Sequence, residues 1–215
     1  MIETLLFGFL WFQVIAHVGI SAGVHRYFAH RQFKAPVWFE WICLYLTILA
    51  GSMSPIGWIA AHRIHHAHSD TAADPHSPKY KGFWYVFFSA WNIKKIPRRI
   101  VQDLYKNPRL KFYHRYWKQV WGISALIAFL ISPYFFIGFI VIPAILGRVG
   151  FGMVNAVTHI DGKVKNVPWI NILTAGEGYH KEHHNNGKKI RFHKYDLTGY
   201  VLEKVLKWKR DNTYH

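Results

Sequence analysis

The chain has 215 residues, of which 51% are apolar and 18% aromatic, yet it carries a formal net charge of +16. Nucleic-acid binding is the usual explanation for such a basic chain, but long uncharged apolar runs interrupt the basic segments, so we expect no nucleic-acid partner. The lone cysteine, Cys43, excludes an internal disulfide and any metal site built from several thiolates.

Three apolar stretches predict helices that enter or contact a membrane. Residues 2–24 lack Lys and Arg and are long enough to cross about 30 Å of hydrocarbon as one helix. Residues 37–57 are similarly apolar and predict an interfacial or re-entrant helix. The third stretch divides at a Ser-Pro pair into two further spans, 117–131 and 134–158. Because no internal repeat is visible, these patterns predict a single all-α domain over residues 1–215.

Fifteen histidines occur in the chain, and most of them fall into closely spaced groups. His25 and His30 form an H-x4-H pair, and two H-x2-H-H groups follow at residues 62–66 and 180–184. Positions i, i+3 and i+4 lie on one helix face, so each H-x2-H-H is expected to present three imidazoles to a common point. The i, i+5 pair does not share a helical face and predicts a helix end or turn between its members.

Clustered neutral imidazoles are ligands for transition metals. Eight or nine of them exceed the coordination of one ion, so the histidine groups imply two metal ions. Spacing alone does not identify the metal, because zinc, copper and iron all bind imidazole.

Four segments around these histidines resemble the membrane acyl desaturases of the stearoyl-CoA desaturase type. They are residues 23–31 (GVHRYFAHR), 62–76 (HRIHHAHSDTAADPH), 155–159 (NAVTH) and 176–184 (GEGYHKEHH). The segments occur in the order that the family shows, and the likeness extends from about residue 14 to residue 207.

The resemblance implies an oxygen-dependent desaturase that uses two electrons to insert a cis double bond, at the delta-9 position, into a saturated acyl chain. It implies two iron ions held by nine histidines, namely His25, His30, His62, His65, His66, His159, His180, His183 and His184. Asn155 is implied to reach one iron through a water molecule. The implied partners are membrane lipids, a fatty acyl substrate and a separate electron carrier of the ferredoxin or cytochrome b5 type.

Side chains next to the ligands are expected to orient the imidazoles. Asp74 and Glu177 are the best placed by motif, followed by Asp70 and His76. Further candidates for this role or for a substrate contact are Glu182, Asp196 and His68. We interpret the remaining histidines as structural or surface residues, namely His17, His114, His193 and His215.

A single di-iron site restricts the topology, because all the histidine groups must then lie on one side of the membrane. Residues 37–57 must therefore cross the membrane an even number of times or not at all. Residues 117–158 must form a hairpin that turns near Ser132-Pro133. We therefore expect a multi-pass membrane helical bundle with a cytosolic helical cap that carries the di-iron site. Basic residues flank the apolar stretches, as the positive-inside rule requires of cytosolic segments.

A basic segment between residues 94 and 118 also carries aromatic side chains. It predicts contact with anionic lipid headgroups, each basic residue contributing about 1 kcal/mol near the surface. A docking surface for an acidic electron carrier, or for substrate phosphates, is the alternative interpretation.

The chain departs from the family pattern at three positions. Ala60 and Ala61 stand where animal acyl-CoA enzymes have Arg-Asp, and Gly152 stands where a Trp is expected. These differences favour an acyl-lipid substrate over an acyl-CoA. The chain also starts at what would be the family's second span, and no fused cytochrome b5 domain is recognisable.

Two other functions fit some of these patterns. A hydroxylase of the same histidine-rich membrane group would use a similar site, although its first two histidine groups usually have different spacing. A metal transporter or sensor would place ligands along a path at mid-membrane, whereas these histidines flank the apolar stretches.

Overall fold

The computed structural model describes residues 1–89, 93 and 96–212. Those residues form helices and loops without a strand, in agreement with the all-α prediction. The helices are α1 (Ile2–Ala29), α2 (Val37–Leu49), α3 (Pro55–His68), α4 (Pro78–Lys81), α5 (Phe83–Ser89), α6 (Arg98–Val101), α7 (Pro108–Ile131), α8 (Pro133–Gly162), α9 (Asn171–Thr174), α10 (His180–Asn185) and α11 (Leu197–Asn212). Lys94 and Lys95 of the basic segment, and His215, lie outside the described residues.

Two of these helices, α1 with 28 residues and α8 with 30, are long and apolar enough to cross a membrane. They pack closely, because glycines remove side chains where the two helices meet. A Cβ on Gly8 would lie 2.7 Å from the Ile142 side chain, and a Cβ on Gly138 would lie 2.6 Å from the ring of Phe7. Such small residues are the usual means by which apolar helices approach each other in membranes.

Helix α2 packs against the second half of α1 at another pair of glycines. A Cβ on Gly19 would lie 2.8 Å from Leu46, and a Cβ on Gly23 would lie 2.6 Å from Cys43. The Thr47 hydroxyl donates to the carbonyl of Gly19 at 2.8 Å. Helix α2 has 13 residues and is therefore about 20 Å long, which is too short to cross a bilayer alone.

The chain breaks between α2 and α3 and then re-forms a helix that carries the second histidine group. Gly51 and Met53 adopt the left-handed conformation, with φ of 71° and 63°. Ser54 begins α3 by accepting a hydrogen bond from the Gly57 amide at 3.1 Å, and Pro55 occupies the first helical position, where no amide donor is needed.

Helix α7 starts with an Asn107 cap and has a kink at Tyr116, where φ is −113° and ψ is 15°. The segment 117–131, expected as a span, is the part of α7 that follows this kink. The helix ends at Ser132, whose hydroxyl accepts from the amide of Tyr134 at 3.2 Å and so starts α8. The residues expected as span 134–158 lie within α8.

A buried carboxylate joins α1, α2 and α7. Glu40 is 6% exposed. It accepts hydrogen bonds from Tyr27 at 2.7 Å, from Asn107 at 2.9 Å and from Arg109 at 2.7 Å. Because a buried charge is costly unless it is paired, these contacts hold the three helices in one arrangement.

Candidate metal centre

The first histidine pair and parts of both H-x2-H-H groups meet in one cluster, which we call group one. It contains His25 and His30 of α1, His62 of α3 and His183 of α10, with one ring nitrogen of each within 4.8 Å of the others. The Nε2 atoms of His30 and His62 are 2.7 Å apart, and those of His25 and His183 are 3.1 Å apart. His66 adjoins this group, with its Nε2 atom 2.8 Å from that of His183.

The backbone of α1 explains how His25 and His30 reach the same point. Residues Ile15–Ala29 form a π-helix, in which each amide bonds to the carbonyl five residues earlier. The His30 amide donates to the carbonyl of His25 at 3.0 Å, and their ring centroids are 4.8 Å apart. The expected helix end is present, since His30 terminates the helix, but the wide turn that precedes it is what aligns the i, i+5 pair.

A second cluster, group two, contains His65 of α3, His159 of α8 and both His180 and His184 of α10. One ring nitrogen of each again lies within 4.8 Å of the others. The Nε2 atom of His184 lies 3.2 Å from that of His65 and 3.1 Å from that of His180. The two groups adjoin, because the rings of His66 and His184 stack with centroids 4.3 Å apart.

The expectation that each H-x2-H-H points to a single focus is wrong. On α3, His62 lies in group one and His65 in group two. On α10, His183 lies in group one, whereas His180 and His184 lie in group two. Residues three or four apart lie on the same broad face of a helix. Group one and group two lie side by side along that face, so the histidines of one helix are divided between them. Each of the two helices therefore supplies nitrogen atoms to both groups.

Carboxylates contact the far side of several of these imidazoles. The Nδ1 atom of His65 lies 2.9 Å from both oxygens of Asp74, which is fully buried. The Nδ1 atom of His159 lies 3.1 Å from Asp70 Oδ2. Asp74 also accepts from the backbone amides of Asp70 and His76 at 2.8 Å each. Such contacts fix the tautomer and the ring orientation, which leaves Nε2 directed into the group.

Glu177 belongs to a buried network that sequence reasoning only partly anticipated. Its Oε1 atom lies 2.9 Å from His25 Nδ1, accepts from the Ser21 hydroxyl at 2.5 Å and lies 3.2 Å from Arg26 Nη1. Arg26 is fully buried and also reaches Asp196. Burial alone would raise the pKa of Glu177, but its contacts with His25 and Arg26 lower it below its usual range. Arg26 could have been identified from the sequence, because it is a basic residue in an apolar helix and lies next to the first histidine.

Burial keeps several of the clustered imidazoles neutral. It lowers the pKa of His62, His65, His180 and His183 well below the usual value, and neighbouring histidines lower it further. The pKa of His184 falls to about 2 for the same reasons. Neutral imidazoles offer a lone pair, as metal binding requires.

Several buried polar atoms in and beside the groups have no hydrogen-bond partner among the described residues. Two of them are Nε2 of His159, in group two, and the amide nitrogen of Asn155, one helical turn before it. A buried nitrogen without a partner is costly, and a bound metal or an ordered water would satisfy it. The donor set and these two atoms therefore fit a metal centre.

An apolar pocket opens beside both groups. Its polar wall includes His25, His62 and His180 together with Asn155 and His76. Its apolar wall comes from α1, α3, α8 and α9 and consists of Ala16, Ile20, Trp58, Phe151, Val154 and Leu173. The Trp58 ring stacks on His62 with centroids 5.3 Å apart. The pocket can hold a slender apolar group against the imidazoles.

The remaining candidates lie away from the two groups or only at their edge. His76 is buried, with its ring 5.5 Å from that of His65, whereas His68 is exposed. Glu182 is 3.4 Å from the Asn166 amide and contacts no clustered histidine within the described chain. The three histidines interpreted as structural contact other elements: His17 bonds Thr198, His114 contacts Ser54 and Tyr105, and His193 stacks on Tyr179.

The three departures from the family pattern are packing positions. Ala60 and Ala61 are 0% and 1% exposed on α3. A Cβ on Gly152 would lie 2.5 Å from the carbonyl oxygen of Phe87 and 3.0 Å from its ring. Helix α5 thus packs directly on the α8 backbone, and a Trp at position 152 could not fit without displacing it.

A helical protein with two adjoining clusters of four histidines is a candidate dinuclear metal protein. Comparison with known sequences places it more narrowly: residues 3–214 match the family model for fatty acid desaturases. The chain therefore belongs to the fatty acid desaturase family.

Several relatives within the family are similar at the level of about one residue in three. A delta-9 acyl-lipid desaturase 2 of Arabidopsis thaliana is 31% identical over 192 residues, which cover 80% of this chain and 61% of the relative. An sn-1 stearoyl-lipid 9-desaturase of Anabaena variabilis is 31% identical over 81% of this chain and 69% of its own length. An acyl-CoA delta-11 desaturase of Trichoplusia ni is 31% identical over 85% and 58%. The chain thus spans about three fifths to two thirds of these relatives.

Proposed function

We propose that this protein is an O2-dependent acyl desaturase that holds two iron ions and inserts a cis double bond into a saturated acyl chain. The observation that carries the proposal is the convergence of eight histidines, from four separate helices, into two adjoining groups. Group one would hold one ion, with His66 as a fifth ligand, and group two would hold the other. Asn155, one turn before His159, would reach the second ion through a water molecule.

Membership of the desaturase family supports iron as the metal, because the ligands alone do not identify it. Imidazole binds zinc, copper and iron alike, so the donor set alone admits all three. An unactivated methylene cannot lose a proton to a side chain, and its oxidation requires redox chemistry that amino acids do not supply. A pair of iron ions would supply that chemistry by activating O2 with two delivered electrons.

The protein's own residues would bind the chain, orient the ligands and exclude water. The apolar wall of the pocket, which includes Ile20, Phe151 and Val154, would hold an acyl chain with its methylenes beside His25, His62 and His180. The carboxylates of Asp74, Asp70 and Glu177 would keep three imidazoles in the orientation that binds metal.

The substrate that we favour is an acyl chain carried by a membrane lipid. The relatives from Arabidopsis thaliana and Anabaena variabilis are described as acyl-lipid and stearoyl-lipid delta-9 enzymes. Three small residues support this choice. Ala60 and Ala61 replace the Arg-Asp pair of animal acyl-CoA enzymes, and Gly152 replaces the expected Trp. Delta-9 is the bond position that both relatives suggest.

The membrane arrangement that we propose places α1 and α8 across the bilayer, with α7 after its kink as a further span. Group one and group two would then lie on the cytoplasmic side, together with the basic segment that continues into the start of α7. A separate acidic carrier of the ferredoxin or cytochrome b5 type would deliver the electrons there.

The test is expression in a bacterial host that lacks its own desaturases, followed by mass spectrometry of total lipids. We expect a new monounsaturated acyl chain, and about two iron ions per chain in the purified protein. Both should be lost in the His62→Ala and His184→Ala variants while membrane insertion is kept. A hydroxylated lipid without new unsaturation would contradict the proposed reaction, and zinc uptake without any lipid change would contradict the enzyme class.

A further inference from the structure

The C-terminal helix α11 carries a stripe of exposed apolar side chains. Leu197, Val201, Val205 and Trp208 are 57%, 48%, 54% and 68% exposed. With 3.6 residues per turn, their spacing of four, four and three places them within a sector of roughly 80°. Large exposed apolar side chains that share one helix face mark a surface that another apolar phase covers.

The other faces of α11 differ in character. Thr198 is buried, and Leu202 and Leu206 are partly buried, on the side that packs against the protein. Lys204 and Lys207 are exposed on the remaining side. The helix is therefore amphipathic. One half of its apolar sector packs against the protein, and the other half, the exposed stripe, does not.

The start of α11 is attached to α1 on the membrane side of the metal centre. The Thr198 hydroxyl lies 2.7 Å from His17 Nδ1 and donates to the Ala175 carbonyl at 3.0 Å. His17 precedes His25 of group one by eight residues, which is roughly 10 Å along the helix axis toward the apolar half of α1. Helix α11 thus begins at the depth of the proposed span, below the metal centre.

A neighbouring segment contacts α1 farther from the metal centre and also carries exposed apolar side chains. The Gln13 side chain donates to the Ile172 carbonyl at 2.9 Å. The side chains of Ile172 and of nearby Trp169 are 61% and 64% exposed. The exposed apolar surface of α1, which includes Leu10 and Val14, therefore continues through this segment onto α11.

Charge identifies the kind of membrane surface. Residues 197–212 contain four basic side chains, Lys204, Lys207, Lys209 and Arg210, and two acidic ones. Lys204 and Lys209 lie on either side of the apolar stripe, where their stems can follow the apolar phase and their charges can reach headgroups. Tryptophan at the end of the stripe is typical of the membrane–water interface.

We infer that α11 lies in the plane of an anionic lipid surface, with Leu197, Val201, Val205 and Trp208 in the acyl region. This inference rests on the proposed membrane location of α1. Lipid contact along α11 would hold the part of the chain around group one against the bilayer, where an acyl-lipid substrate is found. Apolar burial and attraction to anionic headgroups together determine how strongly such helices bind.

Spin labels on the full chain test this inference. In a Cys43→Ala background, single labels are placed by Val205→Cys on the stripe and by Lys207→Cys, about 160° away around the helix. Leu10→Cys on the exposed face of α1 reports on the span itself. The protein is placed in nanodiscs of phosphatidylcholine and phosphatidylglycerol, and label relaxation by O2 is compared with relaxation by a water-soluble nickel chelate.

We expect the ratio of O2 to nickel accessibility to be several-fold higher at position 205 than at position 207, and high at position 10. In nanodiscs without phosphatidylglycerol, the ratio at position 205 should fall while that at position 10 stays constant. Equal ratios at 205 and 207, with a high ratio at 10, would overturn the interfacial helix and leave the proposed span intact. A low ratio at position 10 would overturn the membrane location and the inference with it.

Discussion

Asp196 Oδ2 lies 2.7 Å from Arg26 Nη2, and both side chains are completely buried. The same guanidinium contacts Ser21 and Glu177, and Glu177 in turn contacts His25. Asp196 also caps the start of α11 by accepting from the Gly199 amide at 2.9 Å. One buried arginine therefore connects the first histidine of group one to the C-terminal helix.

Replacing this arginine tests the network. Arg26→Met leaves two buried carboxylates without their cation, and removal of one partner from a buried ion pair typically costs about 3–5 kcal/mol. We expect a clear fall in the thermal unfolding temperature of the detergent-solubilised protein. Arg109→Met is the comparison, because Arg109 pairs with Glu40 in a half-buried contact that also has Tyr27 and Asn107 as partners. An equal or larger effect at Arg109 would contradict the central place of Arg26.

Removal of a clustered histidine should remove metal. His65→Ala takes one of four nitrogen ligands from group two, so we expect the iron content to fall from about two per chain to one or less, with loss of unsaturated product. His68→Ala, three residues away on the same helix but exposed, should retain both. Metal analysis of the purified proteins checks this, and full iron content in His65→Ala would contradict the ligand assignment.

The contact between Asp74 and His65 should matter without any direct contact to metal. Asp74→Asn keeps the size of the side chain but removes the charge that holds the imidazole tautomer, and such changes typically cost about 10–100-fold in metal affinity or activity. We expect metal loss at lower chelator concentrations than for the unchanged protein. Glu182→Gln is the matched control because Glu182 contacts Asn166 and not a clustered histidine.

The metal-free protein should lose stability in mild acid. The pKa values of His62, His65, His180 and His183 are depressed in the folded chain, so these groups stay neutral when folded but take up protons when unfolded below about pH 6.5. Stability is therefore present above that pH and declines below it. Thermal unfolding of the chelator-treated protein at pH 7.5 and 5.5 measures the effect.

A variant separates these histidines from other titrating groups. His62→Gln removes one group with a depressed pKa, so the slope of stability against pH below 6.5 should fall by up to about 1.4 kcal/mol per pH unit. An unchanged slope in His62→Gln would contradict the neutral buried state of this imidazole.

The length of the acyl chain should depend on the apolar end of the pocket. Ala16 lines the pocket nine residues before His25, about 10 Å or more from it along α1. Ala16→Leu should therefore shift the products toward shorter acyl chains. Val14→Leu, on the exposed side of the same helix, should not. Lipid profiles of host cells measure both, and an unaltered profile in Ala16→Leu would contradict the proposed position of the acyl chain.

Local patterns predicted the helices and the clustering of the histidines, because apolar run length and histidine spacing are properties of short segments. The all-α class, the break after α2 and the division at Ser132 were all predictable in this way. The π-helical turns of α1 were not, because apolar run length and residue preference do not distinguish a π-helix from an α-helix. The division of each H-x2-H-H between two foci was not predictable either, because it depends on how α3 and α10 are set against each other.

Because α3 and α10 each carry nitrogen atoms of both groups, the two proposed metal positions would be mechanically coupled. Any rotation of either helix about its axis displaces His62 and His65, or His183 and His184, at the same time. The first ion to bind would thus order much of the coordination sphere of the second. Cooperative loading, with few singly occupied molecules at intermediate iron concentrations, is the expected consequence.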